Sequence, residues 1–224
     1  MCGRFTLTSA PEIVAALLGL ETEAVSLAPR FNIAPTQQVP VLVRTGSSEP
    51  RELVSMRWGL IPSWSKDPAI GSRLINARSE TAAEKPSFRA ALRRRRCLIP
   101  ADGFFEWAAQ DDRKRPYLIR MADGSPFVFA GLWEGWRADD DAPIVSCTIL
   151  TTTANAKLAK LHHRMPVIVP AEAFERWLDP DQQDPAGVRD LMGPYTHSEM
   201  SYTAVSTWVN DPRHDDPRCI APAT

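Results

Sequence analysis

Long apolar runs are missing from this sequence, and with them any membrane-spanning helix, which needs about 18 or more consecutive apolar residues. The opening residues MCGRFTLTS lack the apolar core of a secretory signal. The expected location is therefore the cytoplasm, with nucleoid association when DNA is bound. Cysteine is scarce and scattered: Cys2, Cys97, Cys147 and Cys219 form no CxxC pair, so neither a zinc knuckle nor a disulfide framework is signalled. Neither GxGxxG nor GxxxxGKS/T occurs, and nucleotide hydrolysis is not expected. Internal repeats and low-complexity blocks are absent too. Nor is there an excess of positive charge, because 26 Lys and Arg against 27 Asp and Glu leave a formal net charge of -1. Sequence-independent DNA affinity comes mainly from cations on phosphates. A generic polyanion binder is thereby excluded, and any nucleic acid must meet a local patch. Arg4, Arg30, Arg57, Arg73, Arg78, Lys85 and Arg93 to Arg96 are candidates in the first half, while acids crowd Asp139 to Asp141 and Asp211 to Asp216.

What is present is the composition of a soluble globular protein, 44% hydrophobic and 24% charged. The length suits one domain spanning 1–224, with an irregular Pro- and Asp-rich tail from about residue 207. A strand ends at Thr6 to Leu7. Ser9-Ala-Pro-Glu12 reads as a capping box opening a helix whose apolar face is Ile13, Val14, Leu17 and Leu18, stopped by Gly19. Strands are expected over 39–44, 53–58, 97–100, 104–108, 117–121, 127–133, 144–152 and 202–206, with 73–77 short and extended. Pro62 to Gly71 reads as a loop and Ala122-Asp-Gly-Ser125 as a hairpin turn. Short helices are expected over 79–85, 86–95 (Phe88, Ala91 and Leu92 inward), 154–161 and 171–178. This pattern predicts an α+β single domain with a mainly antiparallel, barrel-like sheet and short flanking helices.

Four places could carry chemistry. Cys2 becomes a 1,2-aminothiol if Met1 is removed, as the small cysteine side chain favours. Its amine, with an ordinary pKa of about 7.7 to 8.0, is partly neutral and can form an imine with an aldehyde, which the thiol then closes to a thiazolidine. Taken alone, a cysteine after Met1 is more often incidental. Asn76 and Arg78, two apart, share one side of a strand, where an amide can orient an amine or sugar and a guanidinium can hold phosphate; a turn with a solvated arginine is the bland alternative. Glu106 lies between Phe105 and Trp107, where desolvation favours a proton carrier, unless this is simply the wet face of an edge strand. His162 and His163 follow a helix and precede a strand; one imidazole can shuttle protons, with Arg164 supporting it or binding phosphate. Zinc ligation by these groups fits no recognisable spacing.

The blocks MCGRF (1–5), FNIAPTQ (31–37), RWGLIPSW (57–64), LINARSETAAEKPSF (74–88), RRRRCLIPADGFFEW (93–107) and LHHRMPVIV (161–169) resemble, in order, the SOS-response-associated peptidase family of abasic-site processing proteins. Ala204-Val-Ser-Thr-Trp-Val-Asn210 is similar to that family's closing stretch. The resemblance implies a single α+β domain that takes single-stranded DNA in a basic channel. It further implies a thiazolidine between the mature N-terminal cysteine and a ring-opened abasic sugar. Carried over residue by residue, Cys2 is the nucleophile, Asn76 fixes the amine or sugar, Glu106 shuttles protons and His162 is the second acid/base group. Arg4 and Arg78 hold phosphates, Pro35 and Trp64 splay the bases, and Thr151 and Trp107 line the groove; Asn32, Lys85 and Arg164 complete the DNA-binding set. His163 departs from the family, which more often has an acid there, and this puts the orientation of Arg164 in question. A monomer without metal, small-molecule cofactor or membrane partner is expected. Two other readings stay open: an N-terminal-cysteine peptidase acting on itself or on peptides, and a non-catalytic single-stranded DNA binding module.

Overall fold

Apolar residues recurring every second position, or filling short runs outright, make strands of most of the chain. In the computed structural model, which describes residues 2–110, 113–138, 142–196 and 199–223, these are β1 (Phe5–Leu7), β2 (Arg30–Ile33), β3 (Gln38–Val43), β4 (Glu52–Trp58), β5 (Asn76–Arg78), β6 (Arg96–Ala101), β7 (Gly103–Gln110), β8 (Arg113–Met121), β9 (Phe127–Trp136), β10 (Ile144–Thr153), β11 (Arg164–Pro166), β12 (Ile168–Val169) and β13 (Met200–Ala204). Three short helices accompany them, α1 (Pro11–Leu18), α2 (Arg89–Arg94) and α3 (Phe174–Leu178). Met1 and the acidic run 139–141 lie outside the described residues.

β10, β4, β3, β6 and β9 pair in sequence and close back on β10 as a barrel. The pairings are antiparallel except that β4 and β5 run parallel to β10. All six residues of β6 are buried, because the barrel interior covers one face and α3 the other. There Trp177 Nε1 donates to the Cys97 carbonyl at 2.9 Å, and the Arg96 guanidinium donates to the carbonyls of Trp177 and Asp179. A second sheet runs β13-β8-β7-β1-β2. Edge-on aromatics weld the two: Phe5 meets Trp58 at 5.2 Å and Phe129 at 5.6 Å, and Phe104 meets Phe129 at 6.1 Å. Such pairs contribute about 0.5–1.5 kcal/mol each beyond their buried area.

The first strand is therefore interior, flanked by β2 and β7. Its exit is held by Asp102, 5% exposed. That carboxylate accepts from Thr6 Oγ1 (2.5 Å), Thr8 N (2.5 Å), Thr8 Oγ1 (2.9 Å), Ser9 N (2.8 Å) and Ser9 Oγ (3.0 Å).

Several expectations need correction. Ser9 does not cap α1: its amide and hydroxyl go to Asp102, the cap position is Ala10 with no side-chain bond, and Ile13 faces outward at 51% exposure. Gly19 does end the helix in a left-handed conformation (φ 65°). The 122–125 turn joins no hairpin, since β8 and β9 belong to different sheets; Asp123 still folds it by accepting from Ser125 N at 2.9 Å. Residues 79–85 are turns rather than a helix, and within 154–161 only Leu158–Lys160 is a single 3-10 turn, opened by Leu158 N donating to Asn155 Oδ1 at 2.9 Å. Phe88, Ala91 and Leu92 do point inward. Among the described residues no helix is long and apolar enough to cross a membrane.

Replacing Asp102 by Ala strands two backbone donors and three hydroxyls at a buried site, a loss of about 2–3 kcal/mol. Thermal denaturation of Asp102→Ala is expected to show a midpoint roughly 5–10 °C below wild type; an unchanged midpoint would show that the carboxylate does not hold the N-terminal strand.

Candidate active site

Cys2, Asn76, Glu106 and His162 come from four separate parts of the chain and meet where β1, β5 and β7 approach the turn before β11. Asn76, the first residue of β5, donates from Nδ2 to the Cys2 carbonyl at 2.8 Å. Cys2 precedes β1 and its Sγ lies 3.9 Å from the Arg4 carbonyl, which itself accepts from Phe105 N at 3.0 Å. Glu106, next along β7, acts electrostatically on the Cys2 thiol. Its Oε1 stands 3.9 Å from His162 Nδ1. That ring nitrogen lies 3.0 Å from the Arg164 N–H and 3.1 Å from the Arg164 carbonyl, which fixes the plane of the imidazole. A thiol, a carboxylate and an imidazole are thus gathered in one cluster, with an amide holding the backbone of the first.

Glu106 is no edge-strand residue. β7 is flanked by β8 and β1, and the side chain is 5% exposed. Cys2 is fully buried in the chain that still carries Met1. Burial first, and the Glu106 carboxylate second, push its thiol well above the ordinary cysteine value. The sulfur is therefore protonated at neutral pH and a weak nucleophile by itself.

The other sequence-derived residues divide by what they already touch. Trp64 is 59% exposed, Arg78 and Lys85 are exposed, and Pro35 and Trp107 are half-buried. Arg4 is engaged internally: Nη1 donates to Asn32 Oδ1 at 2.9 Å and to the Val209 carbonyl at 2.8 Å, and its charge sits 5.9 Å over the Trp107 ring. Asn32, fully buried, ties β2 to the carbonyls of Val209, Asp211 and His214. Arg164 makes a two-pronged pair with Glu80 (2.6 and 2.9 Å) and donates to the Thr151 carbonyl at 2.6 Å and hydroxyl at 3.2 Å. Its orientation is thus set by Glu80 and Thr151, whatever stands at 163. His163 is exposed and packs its ring 4.4 Å from that of His162. Among the described residues no group of three or more His, Cys, Asp or Glu is placed to hold a metal.

A shallow cleft of about 350 Å³ beside this cluster is lined by Gly3, Arg4, Trp107, Lys114 and Asn210. Lys114 and Asn210 were not singled out by the sequence, nor was Glu80. Asn210 accepts from Trp107 Nε1 at 2.8 Å. The tail from 207 is also tied down, for Asp215 pairs with Arg30 and accepts from the amides of Phe31 (2.5 Å) and Asn32 (2.9 Å). A twice-repeated Asp-Pro-Arg was the legible signal: Asp211 pairs with Arg213 and Asp216 with Arg218 at 2.6 and 2.8 Å. The acidic crowd at 211–216 is consequently neutralised within the tail and by Arg30.

Comparisons with known proteins agree on one relationship. A family model described as SOS response associated peptidase (SRAP) matches residues 1–212. The abasic site processing protein YoqW of Bacillus subtilis is 40% identical over 98% of this chain and 99% of its own length. The abasic site processing protein HMCES of Gallus gallus is 33% identical over 87% of this chain and 66% of its own. Among solved structures, a Bacteroides thetaiotaomicron protein superposes with a TM-score of 0.86 at 28% identity, covering both chains in full. A Bordetella bronchiseptica protein gives 0.77 at 28% identity, covering 92% of this chain and all of that one.

The Glu80–Arg164 pair generates a pH-dependent prediction. Hydrogen bonding from Arg164 holds the Glu80 carboxyl below its ordinary value. A depressed carboxyl contributes stability that is present above the unfolded pKa and lost as pH falls through the folded one. Melting Glu80→Gln beside wild type from about pH 7 to about pH 3 should show a deficit that closes toward acid; a deficit constant across that range would contradict the pair's role.

Proposed function

The chain belongs to the SOS response associated peptidase family, and from that membership and the abasic-site processing named for its relatives we propose that it captures abasic sites in single-stranded DNA through Cys2. The observation that carries this reading is the convergence of Cys2 with Asn76, Glu106 and His162.

Loss of Met1 bares the Cys2 amine inside the cluster. Its lone pair attacks the aldehyde carbon of the ring-opened sugar, an N–C bond forms, and a proton passes from nitrogen to oxygen to give a carbinolamine. The C–O bond then breaks, water leaves, and an imine remains. The thiol adds across the C=N bond, its proton moving to nitrogen, and a thiazolidine closes. One water is lost in all, and no oxidant or reductant is required. Because the thiol is held protonated, the amine reacts first and the sulfur second, when the electrophile is only a few atoms away. Glu106 takes the amine proton, and His162 assists sugar opening and departure of the hydroxyl. Asn76 keeps the terminus in place through the Cys2 carbonyl.

Arg78 and Lys85 meet phosphates, Trp64 offers an open ring face for stacking, and Pro35 and Trp107 flank the strand. Base stacking of this kind contributes about 1–3 kcal/mol per base and tolerates any sequence. Arg4, Asn32, Thr151 and Arg164 act on the strand through the walls that their internal bonds hold. A peptidase reading would need Cys2 as a thiolate, and its burial beside Glu106 disfavours that species.

Purified protein incubated with single-stranded DNA carrying one abasic site should give a slow-migrating adduct on a denaturing gel. Cys2→Ala and Cys2→Ser, which keep the terminal amine and lose the thiol, should each give only a labile imine that borohydride reduction traps; an equally stable adduct from Cys2→Ala without reduction would remove the Cys2 thiol from the chemistry. Glu106→Gln should slow adduct formation by about 100-fold, and a rate equal to wild type would refute its part in proton transfer.

A further inference from the structure

The run Arg93 to Arg96 is only half used by the fold. Arg96 is buried and bonded to the carbonyls of Leu92, Arg93, Trp177 and Asp179. Arg95 pairs with Glu134 at 2.6 Å. Arg89, Arg93 and Arg94 are exposed on α2, and among the described residues none has a carboxylate partner. Together with Ala90 and Arg95 they line a cleft of about 510 Å³.

Two features set this cluster apart from a solvated surface. Arg89 and Arg93 are four apart on one helix, a like-charge spacing that destabilises it. The chain as a whole has a net charge of -1, so the concentration is not a by-product of a basic protein. A fixed anion in the cleft would relieve that repulsion, and a guanidinium fork suits phosphate oxygens held two at a time.

We propose that the arginine face of α2 grips the phosphodiester backbone of DNA flanking the lesion, outside the reactive centre. This inference rests on the abasic-DNA reading and adds where the remainder of the nucleic acid is held. The link is covalent: residues 79–88 connect β5, whose Arg78 lies beside the Thr151–Arg164 wall, directly to α2. Arg89 N donates to the Lys85 carbonyl at 2.9 Å, which sets the two residues one turn apart, so a strand leaving Lys85 would reach Arg89 next.

The test compares the full-length chain with an Arg89→Gln, Arg93→Gln, Arg94→Gln triple variant, using undamaged single-stranded DNA just long enough for the reactive centre and DNA several-fold longer. Anisotropy titrations over a range of salt should show the variant losing affinity for the long DNA. Its log affinity should also fall less steeply with log salt, by about 2 for three lost phosphate contacts at 0.7 each. Affinity for the short DNA, adduct yield on a short abasic oligonucleotide and melting temperature should stay at wild-type levels. An unchanged salt slope on long DNA overturns the proposal, and so does an equal loss on short and long DNA. If wild type forms no adduct while the triple variant still loses its salt slope, the reactive-centre reading fails and the α2 site stands.

Discussion

The structure depends on a tethered N-terminus. Chain ends ordinarily fray, yet here the segment carrying Cys2 runs into an interior strand paired on both sides. Asp102 anchors it downstream, Arg4 fastens it to Asn32 and to the C-terminal tail, and Asn76 holds the Cys2 carbonyl. Phe5 drives into the aromatic core between the sheets. An amine on a free terminus would search a large volume; in the proposed chemistry, one fixed this way sits beside its proton carriers before any substrate arrives, and the entropy of that placement has been met by folding.

Charge follows the same division between holding and meeting. Much of the cationic inventory is consumed inside: Arg4, Arg30, Arg95, Arg96 and Arg164 bind carboxylates or carbonyls that build the walls. The acids of the tail are neutralised close to home by Arg213, Arg218 and Arg30. The surface still carries Arg78, Lys85 and the α2 arginines, together with scattered cations such as Lys66, Arg73, Lys160 and Arg189, in a chain whose net charge is nearly zero. Sequence-independent attraction is thereby weak overall, and in the proposed reading the strand meets the local set that Arg78, Lys85 and α2 make.

Much of this was legible before any coordinates. Short apolar and alternating runs placed nearly every long strand, and strand hairpins broken by short helices, without regular strand–helix alternation, pointed to the mainly antiparallel, barrel-like sheet. The four reactive candidates could be named by residue type and by family resemblance, but their meeting depends on pairings between positions up to 160 residues apart, from Cys2 to His162, which no local pattern encodes. Ser9 misled because a capping motif and a carboxylate clamp begin with the same hydroxyl; Asp102, 93 positions away, won it. Arg164 read either as a support for the imidazole or as a phosphate ligand; its pairing with Glu80, on another segment, forms only on folding.

The measurement that bears most directly on the proposed chemistry is the intact mass of the protein after exposure to a single-stranded oligonucleotide with one abasic site. A thiazolidine at the processed terminus requires the mass of the chain without Met1, plus the oligonucleotide, less one water. An adduct that retained Met1, or a protein recovered without any adduct, would contradict it.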